Sequence, residues 1–502
     1  MDLDERIPSD PQGRIWDVVV IGTGAGGATA GFNLAKRGRS VLFLERGRLF
    51  PLRFGATEAA AGQNSGVAPG WWPDRVYERT AAGDVLRPHP TGCGAGGSTA
   101  LFAMVMDRFR PVDMNPGHEF DVPSNTSLSE GWPISYEELE PYYREAEALF
   151  RVRGTNDPLT QAQVALIDPP PLSNAEVVLH ETLAGAGLHP YRLHYARERV
   201  AGCTGCPARL CPDECRNDAG RICLAPALER YGAYVLPQCQ VIRLGVSSRR
   251  VTRAECVSNA REVIIRGKVF VLALGAFQTP ALLLRSKGGT CGTGLGNSSD
   301  LVGRNLMLHV SDTLLVRSER FKGVMNNCLN HGIGLNDFYV DNRKKLGNVH
   351  VHAFCFPGSS PDGSSGAAVF HTIIEDFPYL TNRVVPKEGS TDEVVWEYQY
   401  PEELGERSGM LIAAFERALG STCGVYSRHP TGGLNISHAC GTCRFGDNPR
   451  TSVLDRENRM HDLDNTYIVD ASFLPSSGGM HPSLTIVANS LRVSELIASG
   501  QL

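Results

Sequence analysis

The chain shows two kinds of apolar and polar pattern, one towards both ends and another in the middle. Near the N-terminus, the apolar run Val18 to Ile21 is followed by a helical pattern and then by a second run, Val41 to Leu44. Short apolar runs bounded by turn residues are typical of strands buried on both faces of a parallel sheet. Similar runs return at Val269 to Leu274 and at Thr466 to Asp470. These segments predict an α/β core.

The middle of the chain has a different pattern. Between residues 305 and 400, apolar and polar positions alternate in stretches such as 347–354 and 393–398. A period of two is typical of half-buried strands in an antiparallel sheet. The pattern predicts a second domain, built on such a sheet and inserted into the first.

Capping signals predict where helices begin. Ser135 and Glu138 have the spacing of a capping box, so a helix is expected from there to about residue 150. The pair Thr279-Pro280 predicts a helix with proline in its first turn. Many turn formers at 50–90 indicate a long loop region. Further helices are expected at 172–187, 225–230, 402–419 and 484–497.

A glycine motif follows the first apolar strand. Glycines stand at the first, third and sixth positions of Gly22-Thr23-Gly24-Ala25-Gly26-Gly27, and Glu45 ends the next strand. The first glycine allows a tight turn, the second lets a pyrophosphate approach the backbone, and the third lets helix and strand pack closely. Glu45 can accept hydrogen bonds from a ribose diol. The unit therefore predicts a dinucleotide site.

Composition narrows the class of protein. A chain of 502 residues predicts two domains rather than one. The net charge of −5 argues against nucleic acid as a partner and is compatible with a cationic small substrate. No apolar run reaches the ~18 residues needed to cross a bilayer, which argues against a membrane partner. The polar N-terminus does not resemble a signal peptide, so the 14 cysteines indicate a reducing cytoplasm.

Further motifs follow the dinucleotide unit in a characteristic order. Together they resemble the glucose–methanol–choline (GMC) family of FAD-dependent alcohol oxidoreductases over nearly the whole chain. The motifs are Gly96-Gly97-Ser98-Thr99, Gly275 to Leu283, His438 to Gly446, Val469 to Pro475 and Gly478 to Thr485.

The resemblance implies an α/β fold with two domains. A Rossmann-like FAD-binding domain with a parallel sheet would comprise 1–130, 195–305 and 430–502. An inserted substrate domain with an antiparallel sheet would comprise 131–194 and 306–429, as in p-hydroxybenzoate hydroxylase-like proteins. The residues implied in FAD binding are Gly22, Gly24, Ala25, Gly27, Glu45, Arg46, Gly96, Gly97, Ser98, Val241, Gly275, Asp470, Ala471, His481 and Pro482.

Two of these residues have more specific expected roles, and one further position departs from the family. Val241 would meet the adenine side of FAD through its backbone, or else be a plain buried strand residue. The helix that begins at Pro482 would aim its N-terminus at the flavin. Phe102 departs from the family, where Asn is common near the flavin.

Two histidines are implied in catalysis. The family places a histidine, and a second histidine or asparagine, beside the reactive nitrogen of the flavin, and these positions match His438 and His481. Imidazole has a pKa near the operating pH, so His438 is the expected general base while hydride passes to the flavin. His481 would bind the substrate oxygen. Because many relatives carry Asn at this second position, the identity of the base stays open.

A cysteine-rich segment allows an alternative. Cys203, Cys206, Cys211 and Cys215 lie close together, and in a few multi-subunit relatives this region holds an iron–sulfur cluster. The spacing matches no ferredoxin pattern, so a structural or disulfide-linked loop near the active-site entrance is favoured.

The cysteine-rich segment and the C-terminal motif resemble most closely the paromamine 6′-oxidase group of aminoglycoside biosynthesis. This implies oxidation of a primary hydroxyl of a cationic aminosugar to an aldehyde, with oxygen or another acceptor. Glu375, Asp376 and Glu397 are candidates for contact with ammonium groups, although any one of them is more typical of a solvated surface. Two alternatives are a dehydrogenase of another sugar or sterol-like alcohol, which passes electrons through an iron–sulfur site to a protein partner, and a non-catalytic flavin-binding module.

Overall fold

A computed structural model describes most of the chain. The described residues are 3–49, 68–116, 120–128, 131–160, 164–198, 206, 208–213, 215–287, 292–325, 329–352, 366–420, 423–427 and 433–500. Among the helices in these ranges, none combines the length and the apolar character needed to span a bilayer.

Within the described ranges, seven strands form the largest sheet, here called the seven-stranded sheet. Its central strand Ile15–Ile21 pairs in parallel with Val41–Leu44 and with Arg261–Leu272, and side chains such as Val19 are fully buried. The apolar run predicted at 269–274 is the C-terminal part of a longer strand, Arg261–Leu272. The strand order is Tyr234–Leu236, Val41–Leu44, Ile15–Ile21, Arg261–Leu272, Arg250–Ser258 and Cys239–Ser247, with Thr466–Ile468 also paired to Arg261–Leu272.

Helices cover this sheet, which explains the continuous apolar runs of its strands. The helix Ala25–Lys36 packs on the C-terminal helix Ser483–Ser499. Ser490 Oγ donates a 2.6 Å hydrogen bond to the carbonyl of Gly26, so the two backbones approach closely. The helices Ala225–Tyr231 and Gly275–Arg285 belong to the same part of the fold.

In the described part of the chain, Val394–Glu397, from the alternating stretch 393–398, lies in a different sheet and pairs in parallel with Arg75–Thr80, so its predicted place in an antiparallel domain sheet is wrong. The stretch at 347–354 contributes Asn348–Val351 to a six-stranded antiparallel sheet. The helix Glu402–Leu419, predicted to the residue, packs on it, and the rings of Phe370 and Phe415 lie 5.2 Å apart. The helix Asn174–Gly185 contributes Leu179 to the same apolar core. The strand order is Gly424–Ser427, Thr313–Arg317, Ala367–Ile373, Asn348–Val351, Ile333–Leu335 and Tyr191–Arg192.

Part of the predicted loop region 50–90 is regular. Residues 50–67 lie outside the described ranges, but Arg75–Thr80 and Gly83–Pro88 form a hairpin. This hairpin joins Val394–Glu397 and Arg383–Pro386 in a four-stranded sheet. The long-range pairing of Arg75–Thr80 with Val394–Glu397 is not visible in local sequence.

Helix boundaries follow the capping signals at one predicted site and not at another. The helix Tyr136–Phe150 begins after Ser135, whose hydroxyl accepts from the Glu138 amide, as predicted. The helix expected to start near Thr279 begins instead at Gly275, and Pro280 lies inside it. Thr279 Oγ1 accepts from the amide of Leu274, at the start of this helix, and donates to the buried Asp470 carboxylate, so it links the helix start to the C-terminal motif.

Short elements complete the described structure. The strand Met307–Val310 pairs with Leu434–Cys440, which sets His309 opposite Asn435. The remaining strands are Val340–Asp341 and Lys344–Lys345, and the remaining helices are Leu3–Arg6, Gly97–Ala100, Pro111–Met114, Gly220–Leu224, Glu319–Phe321 and Ala471–Phe473. The exact division into two domains stays a prediction.

Candidate active site

A cavity of about 460 Å³ opens where the carboxyl ends of the parallel strands meet the six-stranded sheet. Loops that follow Ile21, Leu44, Leu272 and Ile468 form one wall. Histidines from the six-stranded sheet line the opposite side. The carboxyl ends of parallel strands are the usual ligand-binding edge of such sheets.

The glycine loop fits a pyrophosphate. Gly22 has a φ of +98°, and a Cβ there would lie 2.4 Å from the carbonyl oxygen of Ala273. A Cβ built on Gly24, which precedes the helix Ala25–Lys36, meets no protein atom within 4 Å. A side chain at Gly24 would therefore occupy cavity space in front of a helix N-terminus, where anions bind favourably.

Most of the residues implied in FAD binding lie together. Three do not line the cavity: Val241, which lies in an adjoining cleft, and two glycines with structural roles. Gly27 allows close packing, because a Cβ there would lie 2.2 Å from the carbonyl oxygen of Gly22, and a Cβ on Gly96 would lie 2.6 Å from Asp218 Oδ1. The implied residues that line the cavity are Gly22, Gly24, Ala25, Glu45, Arg46, Gly97, Ser98, Gly275, Asp470, Ala471, His481 and Pro482.

Glu45 lines the cavity with a carboxylate that is already held by protein donors. Its Oε2 accepts from the amide and hydroxyl of Thr23 at 3.1 and 2.6 Å. Its Oε1 accepts from the amides of Gly47 and Gly94 at 2.8 and 3.0 Å. Glu45 thus connects the loop that contains Thr23 to the glycine-rich segment that contains Gly94. Its contact with a ribose stays a prediction.

Val241 lies outside the main cavity in a small adjoining cleft. The cleft and the cavity share Arg46, Trp72 and Leu274. The Arg46 guanidinium lies 4.6 Å from the centre of the Trp72 ring and 2.5 Å from Asp74. The predicted adenine contact of Val241 would place the adenine in this cleft.

The C-terminal motif closes the cavity. Asp470 accepts from the Gly275 amide at 3.0 Å and from Thr279 Oγ1 at 2.5 Å, and burial raises the pKa of its carboxyl. The helix Ser483–Ser499 presents its first turn to the cavity, next to Pro482. This is the orientation that the helix-dipole argument requires.

The two histidines implied in catalysis come together although they are far apart in sequence. His438 lies in the strand Leu434–Cys440 and His481 directly before the C-terminal helix. Their ring centroids are 5.6 Å apart, and both rings line the cavity. Phe102 also lines it and packs on Trp71 edge to face.

A third histidine, which the sequence did not single out, orients His438. His309 Nε2 lies 2.8 Å from the Gly478 carbonyl oxygen and 3.1 Å from that of Ser477, so it must carry a proton and donate it. His309 Nδ1, 2.8 Å from His438 Nδ1, then accepts from that nitrogen. This network leaves His438 Nε2 without a proton, as a general base requires.

Burial keeps this pair neutral. It lowers the pKa of His438 well below the usual value, and His309 and His481 act in the same direction. It lowers the pKa of His309 to about 4, against the effect of the two carbonyl acceptors. Burial also lowers the pKa of His481. Each ring therefore offers a lone pair at neutral pH.

Three more histidines, His350, His352 and His371, line the cavity from the six-stranded sheet. His350 is paired with His371 on the neighbouring strand. Sequence reasoning missed them as site residues. The available signal was the alternation His350-Val351-His352, which puts two imidazoles on one face of a strand.

The acidic residues considered for ammonium contacts are engaged elsewhere. Glu375 and Asp376 are fully buried, Glu375 in contact with Lys345 and Asp376 accepting from Tyr398 at 2.8 Å. Glu397 pairs with Arg79 and Arg383. None of the three lines the cavity, so that expectation is wrong.

The cysteine segment is described only in part. Cys203 lies outside the described residues. Cys211 Sγ and Cys215 Sγ are 3.2 Å apart, and this hydrogen bond lowers the pKa of Cys211 to about 5. Cys206 is half-buried nearby, where its carbonyl oxygen accepts from Arg216 at 2.8 Å. An iron–sulfur site stays a prediction.

Models of known protein families match most of the chain. A family model described as GMC oxidoreductase matches residues 89–311, and a second with the same description matches residues 422–490. A model described as an FAD binding domain matches residues 17–70.

Individual relatives span nearly the full length. The 6'''-hydroxyparomomycin C oxidase of Streptomyces lividus and the paromamine 6'-oxidase of Streptomyces fradiae are each 29% identical to this chain. Each alignment covers 97% of this chain and 92% of the relative. The crystal structure of pyridoxine 4-oxidase from Mesorbium loti matches with a TM-score of 0.65 at 20% identity, over 97% of this chain and 100% of that one. This structural likeness supports the fold.

Proposed function

The chain belongs to the GMC oxidoreductase family and is an FAD-dependent oxidoreductase of alcohols, and from that premise we propose that it oxidises a primary alcohol to an aldehyde. The observation that carries the proposal is the neutral His438–His309 pair at the cavity wall, with His481 beside it.

In the proposed reaction His438 Nε2 accepts the hydroxyl proton of the substrate. Its lone pair is fixed in place because Nδ1–H donates to His309. His481 contacts the same oxygen from the other side and shares the developing negative charge. When bound, FAD supplies the two-electron acceptor for the carbinol carbon. A positioned base of this kind contributes about 10²–10⁴-fold to the rate.

The protonated His438 formed in this step needs a compensating partner. His309 carries its proton on Nε2 and aims Nδ1 at His438, so a lone pair faces the new imidazolium. The Gly478 and Ser477 carbonyls fix that direction. His309 therefore stabilises the positive charge of protonated His438, a role that a carboxylate has in other active sites.

The proposed substrate is the 6′-hydroxyl of an aminoglycoside such as paromamine. Two relatives with 29% identity carry names of aminoglycoside oxidases. The neutral imidazoles of the cavity do not repel a cationic aminosugar, and Ser311, Asn435 and Ser437 add polar groups to the wall. Recognition would rest on hydrogen bonds to neutral groups, because Glu375, Asp376 and Glu397 do not reach the cavity.

The test is anaerobic mixing of the FAD-loaded protein with paromamine. The proposal predicts loss of the flavin absorbance and a product two hydrogen atoms lighter by mass spectrometry. The matched control is the same aminosugar with an amino group in place of the 6′-hydroxyl, which should leave the flavin oxidised. Bleaching by a neutral sugar or a sterol, but not by paromamine, would contradict the substrate assignment.

A further inference from the structure

Three histidines turn ring nitrogens toward one point of the cavity. His350 and His352 stand two residues apart at the end of one strand, so their side chains leave the same face of the sheet. His481 approaches from the segment before the C-terminal helix. One ring nitrogen from each lies within 4.8 Å of the other two. We propose that His350, His352 and His481 bind a divalent transition-metal ion of the zinc class.

A chain of hydrogen bonds fixes the protonation of His350. Asp157 Oδ2 accepts from Asn336 Nδ2 at 2.9 Å, and Asn336 Oδ1 accepts from Asn348 Nδ2 at 2.8 Å. Asn348 Nδ2 also donates to the Leu335 carbonyl, so the amide orientation of Asn348 is determined. Asn348 Oδ1 must then accept from His350 Nδ1 at 2.8 Å. The free lone pair of His350 is on Nε2.

This arrangement is the outer-shell pattern of metal-binding imidazoles. A ligating histidine almost always donates its other ring N–H to a carboxylate, carbonyl or similar acceptor. The relay from His350 through two amides ends on the carboxylate of Asp157 and supplies that acceptor.

Of the other two histidines, His352 has a hydrogen-bonding partner at Nδ1, and His481 has a carboxylate near Nδ1 but beyond hydrogen-bond distance. The Tyr195 hydroxyl lies 3.1 Å from His352 Nδ1 and can accept its proton. Asp107 Oδ2 lies 3.9 Å from His481 Nδ1, on the side of the ring away from a ligating Nε2. In both rings Nε2 can therefore face a shared ion.

The distances between the ring nitrogens are compatible with a bound ion if His481 moves slightly closer to the other two histidines. Nε2 of His350 and Nε2 of His352 are 3.1 Å apart, a separation that one shared proton bridges in the absence of metal. Zinc–nitrogen bonds of about 2.0–2.1 Å in tetrahedral geometry separate ligand nitrogens by roughly 3.3 Å. The His350 and His352 nitrogens already satisfy this spacing. His481 would close the site by a side-chain rotation.

Three neutral imidazoles define the class of ion. Imidazole ligands suit Zn²⁺, Cu²⁺, Ni²⁺ and Fe²⁺, whereas Mg²⁺ and Ca²⁺ prefer oxygen ligands. Three protein ligands leave a fourth position open toward the cavity. His481 cannot offer Nε2 to the ion and to an alcohol at once, so metal and alcohol would compete for this ring.

The test uses the FAD-loaded protein, treated with chelator and freed of it, and titrated with Co²⁺. We expect one bound Co²⁺ per chain by metal analysis after equilibrium dialysis, with visible bands beyond the flavin absorption. Zn²⁺ should compete for the site. His350→Ala and His352→Ala should each abolish binding, and Asn348→Ala should weaken it about 10–100-fold, as loss of an outer-shell partner does.

His189→Ala is the matched control, because this exposed histidine pairs with Asp337 and does not line the cavity. It should leave Co²⁺ binding unchanged. Retained FAD absorbance in each variant reports an intact fold. Absence of Co²⁺ uptake by the parent protein, or uptake that survives both His350→Ala and His352→Ala, would overturn the proposal.

Discussion

His309 Nδ1 lies 2.8 Å from His438 Nδ1, and His309 Nε2 donates to the carbonyl oxygens of Gly478 and Ser477. The backbone of the C-terminal motif thereby selects the tautomer of a side chain on another strand. The proton on His438 Nδ1 leaves Nε2 as the only lone pair of that ring. His309 is therefore a positioning residue for the proposed base.

Removal of the acceptor at position 309 should impair the proposed reaction. His309→Leu leaves His438 Nδ1 without its partner, so the ring is free to adopt the unproductive tautomer. We expect the rate constant of flavin reduction to fall about 10²-fold or more, by analogy with other lost tautomer-fixing partners. The pH dependence of that rate constant should also shift, which stopped-flow measurements over a pH series will show.

His309→Asn is the matched variant. Its side-chain oxygen can replace Nδ1 as the acceptor, so much of the rate should return. Equal rates in His309→Leu and the parent protein, with FAD retained, would show that His309 does not set the tautomer.

The glycine loop offers a test of cofactor binding. Gly24→Leu would place a side chain in the cavity where a Cβ now meets no atom, so the protein should purify without its yellow colour. The matched control is Gly409→Leu, at an exposed helical glycine whose Cβ also meets no atom. It should retain full FAD absorbance. Equal flavin content in the two variants would contradict the placement of the pyrophosphate.

Buried neutral histidines should make the protein sensitive to acid. Burial lowers the pKa of His331 to about 3, although its hydrogen bond to the Leu193 carbonyl acts in the opposite direction. In the unfolded chain this histidine takes up a proton near pH 6.5, whereas in the folded protein it does so only near pH 3. The stability that neutral His331 contributes is therefore complete above pH 6.5 and is lost as the pH falls toward 3.

His331→Gln keeps a donor for Leu193 and removes the titration. Between pH 7 and pH 5, the free energy of unfolding should fall by about 2 kcal/mol less in this variant than in the parent protein. Urea unfolding at the two pH values measures this difference. Identical pH dependence in both proteins would contradict a depressed pKa.

A buried ion cluster supports the loop that holds His309. Lys345 Nζ contacts Asp113 Oδ1 at 2.5 Å and the carboxylate of Glu375, and all three side chains are fully buried. Glu375 Oε1 accepts from the Gly478 amide at 3.0 Å. Loss of the lysine would leave buried carboxylates without compensation.

Lys345→Met should therefore lower the free energy of unfolding by about 3–5 kcal/mol, the usual cost of removing one partner of a buried ion pair. Lys344→Met, at the exposed neighbour, should change it by less than about 0.5 kcal/mol. Urea unfolding of the two variants decides the matter. Comparable stability of both would mean that the cluster contributes little.

The sequence predicted what local pattern and motif encode. Continuous apolar runs located Val41–Leu44 to the residue and Ile15–Ile21 with a start three residues too late, because a strand buried on both faces leaves few polar positions. The helix Glu402–Leu419 was also predicted, with both ends correct. The convergence of His438 and His481 came only from the resemblance to a family, because periodicity carries no information on contacts between distant segments.

What the sequence did not predict depends on long-range contacts. His309 has no motif of its own, and its role follows from the pairing of Met307–Val310 with Leu434–Cys440. The hairpin at 75–88 is completed by a partner strand more than 300 residues later. Glu375 and Asp376 appeared to be surface acids because burial by tertiary packing is not a property of local sequence.

The most direct test of the account is the rate constant of flavin reduction in His438→Ala, measured by anaerobic stopped-flow with an alcohol that reduces the parent protein. If His438 Nε2 is the proton acceptor, this rate constant should fall about 10²–10⁴-fold with FAD content unchanged. His481→Asn, which keeps a polar contact to the alcohol oxygen, should lose less. A His438→Ala protein that retains FAD and is reduced as fast as the parent would contradict the assignment.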